Sequence, residues 1–165
     1  MDPARPMEDI HVRKAGRKDF DFILALSVET MRDELSNFER EHIAPRKLVN
    51  IMARNLRALI ASSGMLTLVA ETDDGRPAGF VMVGRSSSVF TDQQQAFVYD
   101  IAVASAFRRR GIGRLLMEHA EQHARRLKMS HIALMVDMGN APARTLYTGL
   151  GFTDAKALMR KQLVE

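Results

Sequence analysis

The chain has 165 residues, 46% of them hydrophobic and 27% charged, and no cysteine. That length suits one globular domain whose core needs no staple, and the missing thiols exclude a disulfide scaffold, a thiolate metal site and a cysteine nucleophile. Of the net charge of +4, residues 108–128 alone carry +5, from seven Arg and Lys against two Glu. A compact basic segment on a near-neutral body points to a local anion site rather than to an extended nucleic-acid or membrane surface.

The N-terminus MDPARPMEDI has no apolar core that would make a secretory signal. The longest apolar runs, near residues 65–70 and 78–83, fall far short of the roughly 20 residues of a membrane helix. A cytoplasmic protein without a membrane partner is expected. Residues 1–9 read as a tail and 10–165 as one domain.

In chain order, Ile10–Lys14 reads as a first strand, followed by helices over residues 18–38 and 45–62. Phe22, Ile23, Leu26 and Thr30 stand at helical spacing in the first, and Gly64 closes the second. Residues 65–71 and 77–88 are rich in Val, Phe, Leu and Met and flank Asp73-Asp74-Gly75, a hairpin signal. Residues 96–104 form the next strand, entered by a turn near Thr91-Asp92. Over 110–128 the period is helical again, with Ile112, Leu115, Leu116, Ala120, Ala124 and Leu127 in one apolar stripe. A strand over 131–136, a short helix over 141–149 and a last strand over 155–162 complete the order β-α-α-β-β-β-α-β-α-β. This is an α/β (α+β) pattern, a mixed and mostly antiparallel sheet with helices on both faces.

The segment IAVASAFRRRGIGRLL, residues 101–116, carries the chemistry. A strand runs into Arg108, Arg109 and Arg110, then Gly111-Ile112-Gly113, then an amphipathic helix. Cations are unfavourable at a helix N-terminus, so three arginines there make sense with an anion between them and the backbone. Gly111 and Gly113 let that backbone come close to a phosphate. The other reading is a solvated basic turn with a glycine cap. A dinucleotide fingerprint is excluded because Leu116 holds the third glycine position, and a P-loop because no Gly-Lys-Ser/Thr ends the loop.

Arg108-x-x-Gly111-x-Gly113 resembles the (Gln/Arg)-x-x-G-x-(Gly/Ala) pyrophosphate loop of the GNAT superfamily, the acyl-CoA-dependent N-acyltransferases. Asn140-x-x-Ala143-x-x-Leu146-Tyr147, followed by Gly151-Phe152, resembles that family's N-x-x-A-x-x-L-Y…G-F element. The order of the two motifs and of the elements is similar from Ile10 to the C-terminus. The resemblance implies acetyl-CoA as co-substrate, an amine as acceptor, no metal, and the roles of EC 2.3.1 acyltransferases. It also implies that backbone groups of Ile101 and Val103, with Ala102 between them, pair with the pantetheine arm as an added strand would. The pyrophosphate would be held by Arg108, Arg109, Arg110, Gly111, Ile112 and Gly113 with Arg114 beside them, and the next helix would contribute Asn140 and Ala143.

Tyr147 would be the acid that protonates the leaving thiolate, and a phenol with an ordinary pKa near 10 keeps its proton for that task. Some family members carry a glutamate where this chain has Tyr99, which leaves Asp100 as the only carboxylate in 96–104 and the candidate base. The alternative for Asp100 is an aspartate hydrogen-bonded to a neighbouring loop. His119 and His123 stand at i, i+4 on or beside the helical stripe without a third ligand, and read as packed histidines. Over residues 29–41, Glu29, Asp33, Glu34, Glu39 and Glu41 against Arg32 and Arg40 give −3, which suits a cationic acceptor or a solvated helix face. The rival functional class is a non-catalytic acyl-CoA-binding or nucleic-acid-binding module on the same fold. The complete loop and Tyr147 favour the enzyme, without nucleic acid as partner and with a homodimer as one possible assembly.

Overall fold

A computed structural model of the protein describes residues 10–87, 92–161 and 163. The expected tail 1–9, Ser88 at the end of a strand, Thr91 of the turn and Gln162 lie outside these residues. The chain divides into two compact units, residues 1–135 and 136–165.

In the first unit, five strands lie in sequence order: β1 (Ile10–Lys14), β2 (Leu66–Thr72), β3 (Pro77–Ser87), β4 (Gln94–Val103) and β5 (Ile132–Leu134). The first three pairings are antiparallel and β4–β5 is parallel, so the mixed, mostly antiparallel sheet is as expected. Between β2 and β3 the turn takes Gly75 at φ 82°, a left-handed conformation that glycine adopts without strain.

Strand alternation sorts the two faces of the sheet. Phe80 and Met82 join Val69 and Ala102 in a cluster with Ile23, Leu26 and Leu56. Those last three come from helices α1 (Phe20–Glu34) and α3 (Pro45–Ala61). Val81 and Val83, one residue out of step, are fully buried on the other face. There helix α4 (Ile112–Arg126) presents Ile112, Leu116, Met117, Ala120 and Ala124, all buried. A Cβ built on Gly79, which shares that face, would meet Leu116 at 3.4 Å and the Ala102 carbonyl oxygen at 2.7 Å, so close packing requires glycine there.

Two expectations are corrected. The helix read over 18–38 is interrupted: α1 ends at Glu34, Leu35 is extended, and a short helix α2 (Asn37–His42) restarts the chain. The cause is a capping box, in which the Glu39 N–H donates to the Ser36 hydroxyl at 3.3 Å and the Ser36 N–H to the Glu39 carboxylate at 2.9 Å. The last strand, read over 155–162, is absent among the described residues, where 153–161 has no regular structure. Its alternation sets Ala155, Ala157 and Met159 against Lys156, Leu158 and Arg160, so neither face is consistently apolar. Leu158 and Met159 are 83% and 90% exposed, and a strand without packed cross-strand partners has little to hold it.

Beneath β1, the Arg13 guanidinium donates to both oxygens of Asp19 at 2.8 Å, and Arg13 also bonds Glu71 of β2. Asp19 and Glu71 are buried, so the arginine supplies the partner that buried carboxylates need. No helix of the described residues is long and apolar enough to cross a membrane.

Candidate active site

The parallel ladder between β4 and β5 covers only Ala96–Ile132, Phe97–Ala133 and Val98–Leu134. Past Val98, β4 has β3 alone as partner among the described strands. The β3–β4 register shifts at the same point, Val83 facing Val98 and Met82 facing Asp100, so Tyr99 is the extra residue of a β-bulge. A bulge bends its strand and turns two successive side chains to one side. Tyr99 accordingly lies against the Gly84 backbone, its hydroxyl donating to the Arg85 carbonyl at 3.1 Å, and Asp100 lies on that same face opposite Met82.

Beyond the bulge the hydrogen-bond alternation decides which groups of β4 are open. The Ala104 N–H donates to the Ala78 carbonyl at 2.9 Å, and alternate residues of an antiparallel strand share a direction. Ala102 therefore turns its backbone to β3, while Ile101 and Val103 turn theirs to the side where β5 has ended. The Val103 carbonyl accepts from Arg108 Nε at 3.1 Å. Among the described residues, that side of β4 has no strand partner at Ile101 and Val103.

Asp100 is half-buried and its partner is not a loop. Ser27 of α1, itself 4% exposed, donates its hydroxyl to Asp100 Oδ2 at 2.5 Å. Burial pushes the Asp100 carboxyl above the usual carboxylate range, and the Ser27 hydroxyl and the Ile101 N–H pull it part of the way back. A carboxyl moved upward while kept hydrogen-bonded in its ionised form is suited to take a proton. The sequence reading missed Ser27. Its signal was there, since Ser27 follows Leu26 on the inward stripe Ile23, Leu26, Thr30 of α1.

After β4 a short 3₁₀ turn, Ser105–Phe107, leads into the basic loop. Arg109 has φ 66° and Gly111 φ 81°. Left-handed backbone is ordinary for glycine and uncommon for arginine. Gly111 is the N-cap of α4 with no side-chain cap, and the first helical bond is the Leu115 N–H to the Gly111 carbonyl at 3.0 Å. The N–H groups of Ile112, Gly113 and Arg114 precede that bond and carry the positive end of the helix. The Ile112 side chain is core, so only its backbone can serve a ligand. Arg110 stacks 5.5 Å from the centre of the Phe107 ring, shared from further along by Arg76 at 5.7 Å. Arg108 reaches Glu29 of α1 at 3.4 Å.

In the second unit, helix α5 (Ala141–Thr148) is capped by Asn140, whose side-chain oxygen accepts from the Ala143 N–H at 3.2 Å. Asn140 thus has a structural task besides the expected ligand contact. Tyr147 is buried, with the Phe152 ring 5.8 Å away and the Phe152 N–H on its carbonyl at 3.0 Å. Gly151 at φ 90° makes the turn that brings Phe152 back, which is why the sequence pairs Tyr147 with Gly151-Phe152.

The helical histidines are packed, as expected. His119 Nδ1 lies 2.9 Å from the Leu115 carbonyl, and burial, with Arg126 and Arg85 nearby, pushes the His123 pKa down. Among the described residues no group of three His, Asp or Glu could hold a metal.

The chain is similar to known proteins. The chain is 42% identical over 86 residues to a streptothricin acetyltransferase of Streptomyces lavendulae, covering 52% of this chain and 43% of that one. It is 37% identical over 84 residues to the [ribosomal protein bS18]-alanine N-acetyltransferase of Salmonella typhimurium, covering 51% and 53%. These matches span about half the length of either relative. In fold it superposes on a putative acetyl transferase from Pyrococcus furiosus with a TM-score of 0.81 at 22% identity, covering 94% of this chain and 100% of that one. A further likeness, TM-score 0.68 at 15% identity over 93% and 97%, is to AAC(6')-Iy in complex with a bisubstrate analogue of CoA. The profile of the acetyltransferase (GNAT) family matches residues 28–152, from α1 through the bulged strand, the basic loop and α5, and the chain belongs to that family.

Proposed function

We propose that this chain is an acetyl-CoA-dependent N-acetyltransferase that acts on a primary amine of a small molecule or peptide by direct attack in a ternary complex. The observation that carries the reading is the uncapped start of α4 behind three arginines, reached directly from the open edge of β4. A pyrophosphate fits the first, because its charge is met by the N–H groups of Ile112, Gly113 and Arg114 and by Arg109 and Arg110. An amide-bearing arm fits the second, at Ile101 and Val103. The family resemblance assigns Asn140 and Ala143, on the second unit, to the same cofactor.

Acetyl-CoA supplies an acetyl group activated as a thioester. The protein must then remove a proton from the attacking nitrogen and supply one to the departing sulfur, tasks that need groups of opposite character. Asp100, half-buried and moved upward by burial, takes the first proton directly or through a water. Tyr147, a phenol protonated at neutral pH, gives the second. The acidic stretch from Glu29 to Glu41 favours cationic acceptors through its net charge of −3.

The test is thiol release from acetyl-CoA across a panel of polyamines, aminoglycosides, basic peptides and neutral amines. Turnover of an amine with stoichiometric thiol supports the reading. Tight acetyl-CoA binding with no turnover on any of them would favour a binding module instead.

A further inference from the structure

Asp100 sits where a charge is expensive, on the inner face of β4 between the bulge at Tyr99 and the buried Ala102. What keeps its carboxyl serviceable is one side chain from another element. Ser27 lies in the middle of α1, where a serine hydroxyl ordinarily bonds the carbonyl four residues back. Here it crosses to β4 instead, 73 residues away, at 2.5 Å from Oδ2. The donor is buried, Ser27 being 4% exposed. A carboxylate can accept about four hydrogen bonds, so Ser27 fixes one oxygen and leaves capacity for an acceptor proton or a water.

We propose that Ser27 is a positioning residue for acetyl transfer: its hydroxyl locks the Asp100 carboxylate in the orientation from which it receives the proton of the acceptor amine. The inference rests on Asp100 being the base of the proposed reaction. The titratable and charged groups near it leave Ser27 as its side-chain partner. On β4 the Tyr99 hydroxyl is committed to the Arg85 carbonyl of β3, and on α1 Glu29 is exposed and paired with Arg108. The chemical consequence has a definite sign. The hydroxyl favours the ionised carboxyl, so its removal leaves burial unopposed and moves the titration of Asp100 to higher pH.

The experiment uses the full chain labelled with [13Cγ]aspartate, the Asp100 signal being assigned by its loss in Asp100→Asn. Carboxyl titrations are compared for wild type, Ser27→Ala and Ser27→Thr, together with kcat and KM against pH for an amine that turns over in the panel. In Ser27→Ala the Asp100 signal titrates at higher pH, and the acidic limb of kcat/KM moves with it. At neutral pH kcat/KM falls on the order of tenfold, while KM for acetyl-CoA stays within twofold. Ser27→Thr, which keeps the hydroxyl, restores both. Unchanged titration of Asp100 in Ser27→Ala would overturn the proposal, as would a shifted titration with an unshifted pH–rate profile. Asp100→Asn separates the two levels: if it retains wild-type kinetics, the reading of Asp100 as base has failed, whereas an impaired Asp100→Asn beside an unaffected Ser27→Ala defeats only the role of Ser27.

Discussion

At the scale of single residues, burial makes Asp100 a cost to stability. Its folded carboxyl is moved upward by burial, so the native state favours the ionised form less than the unfolded chain does. A raised carboxyl costs stability above its unfolded pKa, about 3.9, and costs nothing once both states are protonated. Asp100→Asn, a neutral near-isostere still able to meet the Ser27 hydroxyl, should therefore melt above wild type at pH 7–8, the gain vanishing near pH 3. Thermal melts across that range check it. The same substitution should lower kcat/KM mainly at neutral pH and recover at high pH, where the free amine needs no base. A uniform loss at every pH would make Asp100 structural. Tyr147→Phe removes only an oxygen from the ring that packs on Phe152. It is expected to lower kcat about 10²–10⁴-fold, the usual contribution of one general catalyst, with acetyl-CoA affinity measured by calorimetry unchanged.

At the scale of elements, the Arg13 cluster predicts acid sensitivity. Arg13 holds the carboxyls of Asp19 and Glu71 below their usual range. Depressed carboxyls lend stability above their unfolded pKa and lose it as pH falls through the folded value. Arg13→Met should lower Tm by several degrees at pH 7, with the gap to wild type closing toward pH 3, as differential scanning calorimetry would show. The elements also show where sequence is legible. α3 and α4 follow from apolar periodicity, because each buries one regular face, and the β2–β3 hairpin follows from two apolar runs around a turn signal, since both strands are buried on both faces. The break at Leu35-Ser36 was legible too, but only through the Ser36–Glu39 capping box, a local competition that apolar spacing at Phe22, Ile23 and Leu26 does not register. The bulge at Tyr99 was not legible. It depends on the register of β3 against β4, a non-local quantity, and it is what turns Asp100 inward to Ser27. The motifs revealed the loop and α5, while the Ser27–Asp100 contact joins elements 73 residues apart that no spacing rule connects. The segment 153–161 failed in the other direction, since an alternating pattern does not make a strand without partners to pair it.

At the scale of the whole chain, charge placement distinguishes a ligand site from a general polyanion surface. The excess of +5 lies within residues 108–128, partly on the loop and partly at the far end of α4, where Arg125 pairs with Glu121 at 3.2 Å and cations suit the helix C-terminus. What remains for an anion is the loop itself, with three backbone N–H groups and the arginines before them. Saturating acetyl-CoA, at 100 times its Kd, should therefore stabilise the protein by about 2.7 kcal/mol, whereas duplex DNA should leave Tm unchanged. Gly113 tests the loop without testing the helix. It is the second residue of α4, and valine has no worse helix propensity than glycine, so Gly113→Val should fold and melt like wild type. Under the proposed function, its branched side chain would stand where backbone and phosphate approach. Acetyl-CoA affinity should fall at least tenfold, about 1.4 kcal/mol, with a matching loss of the ligand-induced rise in Tm. An unchanged Kd in the folded variant, measured by calorimetry, would show that the pyrophosphate does not rest on the start of α4.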